Sequence, residues 1–461
     1  MSLVRWDSKL AYEVALDGLA FGVLITIVTM LYNAFMHPLR KFPGPFSHRV
    51  SVIPRAVYQM RGALAFHVAE LHNQYGDVVR VAPNELAFSS LQAVRDIYKK
   101  NGQGQEFPKY KGFYKVFDHL PSSIINADAV EHGMLRRQLA VGFSDRAMRE
   151  QEPIIKSYVD LLMQRLRENI EKSPATVLNM TDWYDWTLFD LIGDLSFGVD
   201  GGFGCLENTS YHPWVRTIHE SLRQQGIMQG LMALGLRNPI AWLHKYASIF
   251  FVESEHRLIV KEKVAIRMRG GQRPDFLDGL IRNKEELGLD EGRIAMNASI
   301  LILAGSETTA TETFANMCRI LTTHPEILEK LKHEIRSVFT KESNITLSNL
   351  DNLPLTILTS YQYAINRDKR YWTEPDKFAP ERWTNDTDYK KDQLYAMQPF
   401  GIGPRNCIGR NLAYAEMRLI LARLIYNFDM EIADDSRFWL KDQKAYVGWH
   451  KPKLDVHMRL A

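Results

Sequence analysis

The longest apolar run lies near the start. From Gly18 to Met36 (GLAFGVLITIVTMLYNAFM) no residue is charged, and that length crosses a hydrocarbon layer of roughly 30 Å as a helix. Further on, apolar residues recur at three- and four-residue spacing over Gln151–Lys172, Asp182–Phe197, Phe250–Arg269, Asp290–Thr323 and Pro325–Phe339, which predicts five helices. Thr323-His324-Pro325 reads as a helix end followed by a proline-started helix. The segment DVVRVAPNELAFSS reads instead as two short strands about a turn at Pro83-Asn84. Between Tyr211 and Glu255 the pattern is apolar but broken by Gly and Pro. It is too interrupted to span a bilayer, which leaves packed core or contact with a membrane surface.

The class is therefore mainly α with small β-sheets, preceded by one transmembrane helix. Arg5, Asp7, Lys9, Glu13 and Asp17 precede the apolar run and no small-residue cleavage site follows, which favours an anchor over a cleaved signal. Arg40, Lys41 and Arg49 follow it, so the positive-inside rule puts the body in the cytosol. KFPGPF is a stiff hinge. We divide the chain into a flank (1–17), an anchor (18–37), a proline-rich hinge (38–50) and one large domain (51–461), since no repeat or linker splits the remainder. The formal charge of +3 is spread without a basic block, which argues against nucleic acid as a partner. Three widely spaced cysteines argue against a disulfide scaffold and leave one free to act as a ligand.

That one is Cys407, in PFGIGPRNCIGR. A thiolate there would precede the helix IGRNLAYAEMRLILARLIYNF, whose positive end and free N–H groups are expected to lower its pKa. Gly401, Gly403 and Gly409 allow close backbone approach to a flat object, and Arg405 offers a fork of donors suited to a carboxylate. A haem has that shape, with an iron needing an axial ligand, a planar face and two propionates. A buried structural cysteine is the bland alternative. A phosphate loop fits less well, because no strand precedes the glycines and their spacing is wrong. In LILAGSETTA, Gly305 and two threonines interrupt a strongly apolar helix, a place where the backbone ladder can open. Glu307 beside Thr308 could relay protons there.

The ordered string from Phe400 through Gly401, Gly403, Arg405 and Cys407 to Gly409 resembles the haem-thiolate signature of the cytochromes P450, and LILAGSETTA resembles their oxygen-activation motif. The resemblance covers almost the whole chain. It implies Cys407 as the iron ligand of a heme b (iron protoporphyrin IX), Phe400 packed near the sulfur, and Arg405 as a propionate partner. His132 and Arg136 stand where propionate-binding residues occur, with Arg137 as competitor, and Gly305, Glu307 and Thr308 face bound dioxygen. EPDKFAPERW resembles the segment before the cysteine loop, with Arg382 the arginine of a buried ion network. The chain looks most like membrane P450s of filamentous fungi that oxidise terpenoid or polyketide intermediates. The partners so implied are NADPH-cytochrome P450 reductase, O2, a lipophilic small molecule and the endoplasmic reticulum membrane, with a single-pass anchor and a cytosolic catalytic domain. A P450 that rearranges rather than oxygenates is disfavoured by the presence of both Glu307 and Thr308.

One element breaks the resemblance. The helix with Glu-x-x-Arg, and the strands after it, should lie between the oxygen helix and Glu381-Arg382-Trp383, but no acidic residue occurs between Asn352 and Arg367. The literal match, Glu220 to Arg223, lies upstream of the oxygen helix and reads as a solvated pair. A clean omission near 354–356, from an exon or a gene model, is the expectation. It would strip Arg382 of its partners, at about 3–5 kcal/mol, and weaken or abolish haem binding. The rival to a monooxygenase is thus an inactive, truncated P450-like protein.

Overall fold

The computed structural model describes residues 8–100, 102–114, 121–173, 176–198, 202–246, 253–271, 273–308, 310–339, 341–342, 345, 363–383 and 387–461. Helix α1 (Ser8–Leu31) contains most of the apolar run, and Tyr12–Met36 is long and apolar enough to cross a membrane. Strands β1 (Val78–Ala82) and β2 (Glu85–Phe88) pair antiparallel about the expected turn.

The longer helices follow: α2 (Ala129–Leu139), α3 (Asp145–Lys172), then, after β3 (Val177–Asn179), α4 (Met180–Phe197), α5 (Pro213–Leu231), α6 (Arg237–Tyr246), α7 (Glu253–Arg269), α8 (Glu291–Ile302), α9 (Ala310–Thr323), α10 (Pro325–Val338) and α11 (Arg410–Asn427). Strands β4 (Phe428–Ile432) and β7 (Asp455–Leu460) close the chain, with the hairpin β5 (Lys444–Ala445) and β6 (Trp449–His450) between them. In the larger sheet β7 lies between β3 and β4. These short strands are absent from the expectations, because runs of two to six residues carry little periodicity.

Helix α3 begins six residues before its expected start. Ser144 caps it by accepting from the Ala147 N–H at 3.2 Å, and Pro153 sits inside it. The predicted single helix Asp290–Thr323 is instead α8 and α9 joined by a π-helical stretch, Leu303–Thr308. That is where Gly305 and the threonines were expected to open the ladder, and π segments arise where one residue widens an α-helix.

Helix α4 is buried on every face; apolar residues cover most of it, and its buried Asp190 is satisfied by the N–H groups of Phe203, Cys205 and Leu206. It packs against α3, α8, α9 and the π segment. A Cβ on Gly305 would lie 2.9 Å from Cδ1 of Ile192, so the absence of a side chain lets the π segment approach α4. None of Met232–Leu236 is buried, and Leu236 and Trp242 are exposed, so this part of the broken apolar region is surface and not core.

Because α4 is the wall on which the π segment rests, Leu188→Ala, at a fully buried position, is expected to cost about 2–5 kcal/mol, measured as a lowered chemical-denaturation midpoint with an unchanged slope.

Candidate functional site

Two segments far apart in sequence meet at the cysteine loop. Helix α2 starts at Asp128, whose carboxylate accepts from the Val130 and Glu131 N–H groups at 3.0 and 2.9 Å. It is held against α8 by the ion pair of Glu131 with Arg293. The preceding loop is held too, since the Ile124 N–H donates to Asn297 Oδ1 at 2.9 Å. His132 and Arg136, one helical turn apart, share a face. Arg136 donates from Nη1 to the Asn406 carbonyl at 2.7 Å and from Nη2 to Asn406 Oδ1 at 2.5 Å. Arg137 is exposed, so Arg136 is the arginine that reaches the loop.

The loop itself is narrow. The Cys407 N–H donates to the Phe400 carbonyl at 2.7 Å, and that of Asn406 to Gly403 at 3.1 Å. Gly403 has φ +80°, and a Cβ there would lie 1.9 Å from the Tyr98 carbonyl oxygen, so only glycine admits this contact. Gly401 is also left-handed, with φ +65°. Gly409 directly precedes α11, and a Cβ on it would stand 4.0 Å from the Cys407 sulfur. Phe400 meets the cysteine through its backbone, while its ring lies 5.2 Å from that of Tyr414.

Cys407 is exposed, unlike the buried Cys205 and Cys318, so the bland alternative of a thiol lost in core packing does not hold. The expected fall in its pKa does not hold either. Burial by the surrounding protein pushes the thiol up, against the Gly409 N–H and Arg136, which pull it down. The sulfur is open to solvent, yet the protein packed around it still costs the thiolate part of its hydration. The helix end and a single arginine do not offset the lost hydration there.

Charge around the loop is one-sided. Arg405 donates from Nε and Nη2 to Glu106 Oε1 at 3.1 and 2.7 Å and from Nη2 to the Ala127 carbonyl at 3.0 Å. Its buried Nη1 has no hydrogen-bond partner among the described residues. Lys109 donates to the Ile125 carbonyl at 2.7 Å, and burial, aided by Arg405, lowers it to about 8. Burial, with Arg405 and Arg136 adding to it, lowers His132 to about 4, so it is neutral at pH 7. Glu106, Lys109 and Asn406 escaped the sequence reading. The first two lie in an aperiodic stretch before α2, where nothing but tertiary contact distinguishes them.

These residues fit a haem. A buried arginine nitrogen lacks an acceptor among the described residues, cations outnumber carboxylates in the cluster beside the loop, and the thiol is exposed. The backbone of Gly305, Glu307 and Thr308 belongs to the π segment; the side chains of Glu307 and Thr308 lie outside the described residues.

Comparison with known proteins agrees with this geometry. The profile of the family "Cytochrome P450" matches residues 43–359 and 356–458. The chain belongs to the cytochrome P450 family. A cytochrome P450 monooxygenase of Talaromyces stipitatus is 39% identical, over 97% of this chain and 95% of its own length. Trichothecene C-15 hydroxylase of Fusarium sporotrichioides is 35% identical (96% and 97% covered) and averantin hydroxylase of Dothistroma septosporum 32% identical (99% and 94%). This P450 is thus a haem-dependent monooxygenase, an oxidoreductase, and its relatives include hydroxylases.

Arg382 corrects an expectation. It is not stripped of partners: its guanidinium pairs with the fully buried Asp392 carboxylate and donates to the Glu374 and Lys377 carbonyls at 2.8 and 3.3 Å. It also stacks 4.4 Å from the Tyr389 ring. Asp392 in turn accepts from the Thr373 N–H at 2.7 Å. Glu220 and Arg223 are exposed on α5, as expected. The expected omission near 354–356 lies outside the described residues.

Asp392→Ala leaves Arg382 buried and unpaired, at an expected cost of about 3–5 kcal/mol, read as a fall in melting temperature; a change within 0.5 kcal/mol would show that the carbonyls and ring alone satisfy the arginine.

Proposed function

We propose that this chain inserts one oxygen atom from O2 into a lipophilic small molecule, a terpenoid or polyketide intermediate of fungal secondary metabolism. The carrying observation is the accessible Cys407 thiol beside a cationic cluster that holds an orphaned arginine nitrogen. The relatives named for a trichothecene and for averantin support the substrate class. The cofactor is heme b, which supplies, when bound, an iron that activates O2 while a thiolate ligand pushes electron density toward O–O cleavage.

Cys407 would hold the iron. Arg405 and Arg136 would offer charge to the propionates and His132, neutral, a hydrogen bond. Phe400, Gly401 and Gly409 shape the loop around the sulfur. Gly305 lets the π segment approach α4, and Glu307 and Thr308 on that segment would hold and pass protons. Apolar residues of Ile300–Ala304 line the substrate space and exclude water.

Residues 18–37 anchor the chain in the endoplasmic reticulum membrane, 38–50 form the hinge, and 51–461 form a cytosolic catalytic domain that takes electrons from NADPH-cytochrome P450 reductase. The exposed Phe46, Ile53, Leu236 and Trp242 support a second contact with the same membrane. An internal omission near 354–356 is supported by the split of the family match at 356–359. It is supported also by the alignment with the Talaromyces protein, which runs to 491 positions, more than the 461 residues of this chain, and so contains gaps on this chain's side. The inactive reading drew on the missing Glu-x-x-Arg segment and on an unpartnered Arg382, and the Asp392 pair removes the second ground.

The purified chain, reduced under carbon monoxide, is expected to show the strongly red-shifted band of thiolate-ligated haem, and Cys407→Ala to lose it. A folded parent chain without that band rejects the proposal. Removing residues 1–37 is expected to shift the protein from the membrane pellet toward the soluble fraction; unchanged tight membrane binding would assign the anchoring to the apolar surface around Trp242.

A further inference from the structure

The cationic cluster contains one acid that the haem reading does not use. Glu106 is 11% exposed and engages Arg405 through a single oxygen, Oε1, which accepts from Nε and Nη2. The Ala127 carbonyl takes the remaining Nη2 hydrogen. One edge of the guanidinium is thereby fixed, and the two hydrogens of Nη1 stay buried without an acceptor among the described residues.

A blocking role would put the carboxylate across that free edge; the observed contacts leave the edge open. The charges agree. Lys109, Arg136 and Arg405 are three cations against the Glu106 carboxylate, which leaves the cluster two charges from neutrality, the number that two propionates bring. Without Glu106 the long arginine side chain would be held by Ala127 alone and would lose most of its orientation.

We infer that Glu106 is a positioning residue: it clamps Arg405 so that Nη1 is presented to a propionate of the cofactor. This rests on the haem reading of the site. Outer partners of this kind typically change affinity by roughly 10- to 100-fold, and because Glu106 acts through Arg405, its effect vanishes when Arg405 is gone.

The test is the rate at which the haem-loaded full-length chain passes its haem to excess apomyoglobin. Glu106→Ala is expected to release haem roughly 10- to 100-fold faster than the parent. Glu106→Gln, which keeps an acceptor oxygen, should fall between the two and serves if the alanine variant does not fold. Arg405→Ala should also release faster, and adding Glu106→Ala to it should change the rate no further. Parent-like release from both Glu106 variants, or losses that multiply in the double variant, would overturn the inference while leaving the haem site standing. A parent chain that takes up no haem would overturn the site reading, and this one with it.

Discussion

A fork of two hydrogen bonds from Arg136 to Asn406 joins parts of the chain 270 residues apart. Everything at the site depends on that join. The cysteine loop makes few backbone bonds of its own, and its glycines, which allow the tight path, also deprive it of side-chain packing. Stiffness comes from its neighbours: Arg136 on one flank, Tyr98 against Gly403, and α11 starting directly behind the sulfur. Helix α2 is in turn pinned to α8 through Glu131 and Arg293, so the helix that braces the loop is tied to the helix that leads into the π segment.

Much of this was legible in the residues. Long periodic helices, the turn at Pro83-Asn84 and the proline start of α10 carry local signals strong enough to survive folding. The cysteine loop was legible for the opposite reason: three glycines and a lone cysteine make poor local structure, and such violations concentrate at functional sites. The widened turn at Gly305 belongs with it.

What stayed hidden depends on long-range proximity. Glu106 and Asp392 are ordinary acids in aperiodic, polar stretches, and nothing around them names Arg405 or Arg382 as a partner. Arg382 shows the risk of reasoning from a missing element: removing one expected counter-ion does not isolate a buried cation when another acid ten residues on can reach it. The thiol shows a different one. Its pKa was read from the helix end and its free N–H groups, but the protein packed around the sulfur takes away hydration, and that loss outweighs them.

The π stretch between α8 and α9 has an effect beyond its own carbonyls. Each added residue turns a helix by about 100°, so one residue of excess rotates the whole of Ala310–Thr323 relative to the half before it. Phe314 and Cys318, buried beside Tyr184, therefore hold their positions in the core only while the bulge persists. The packing of that hydrophobic seam thus acts as a lock on the shape of the π segment, and trimming one residue from the bulge would put every apolar contact beyond it out of phase.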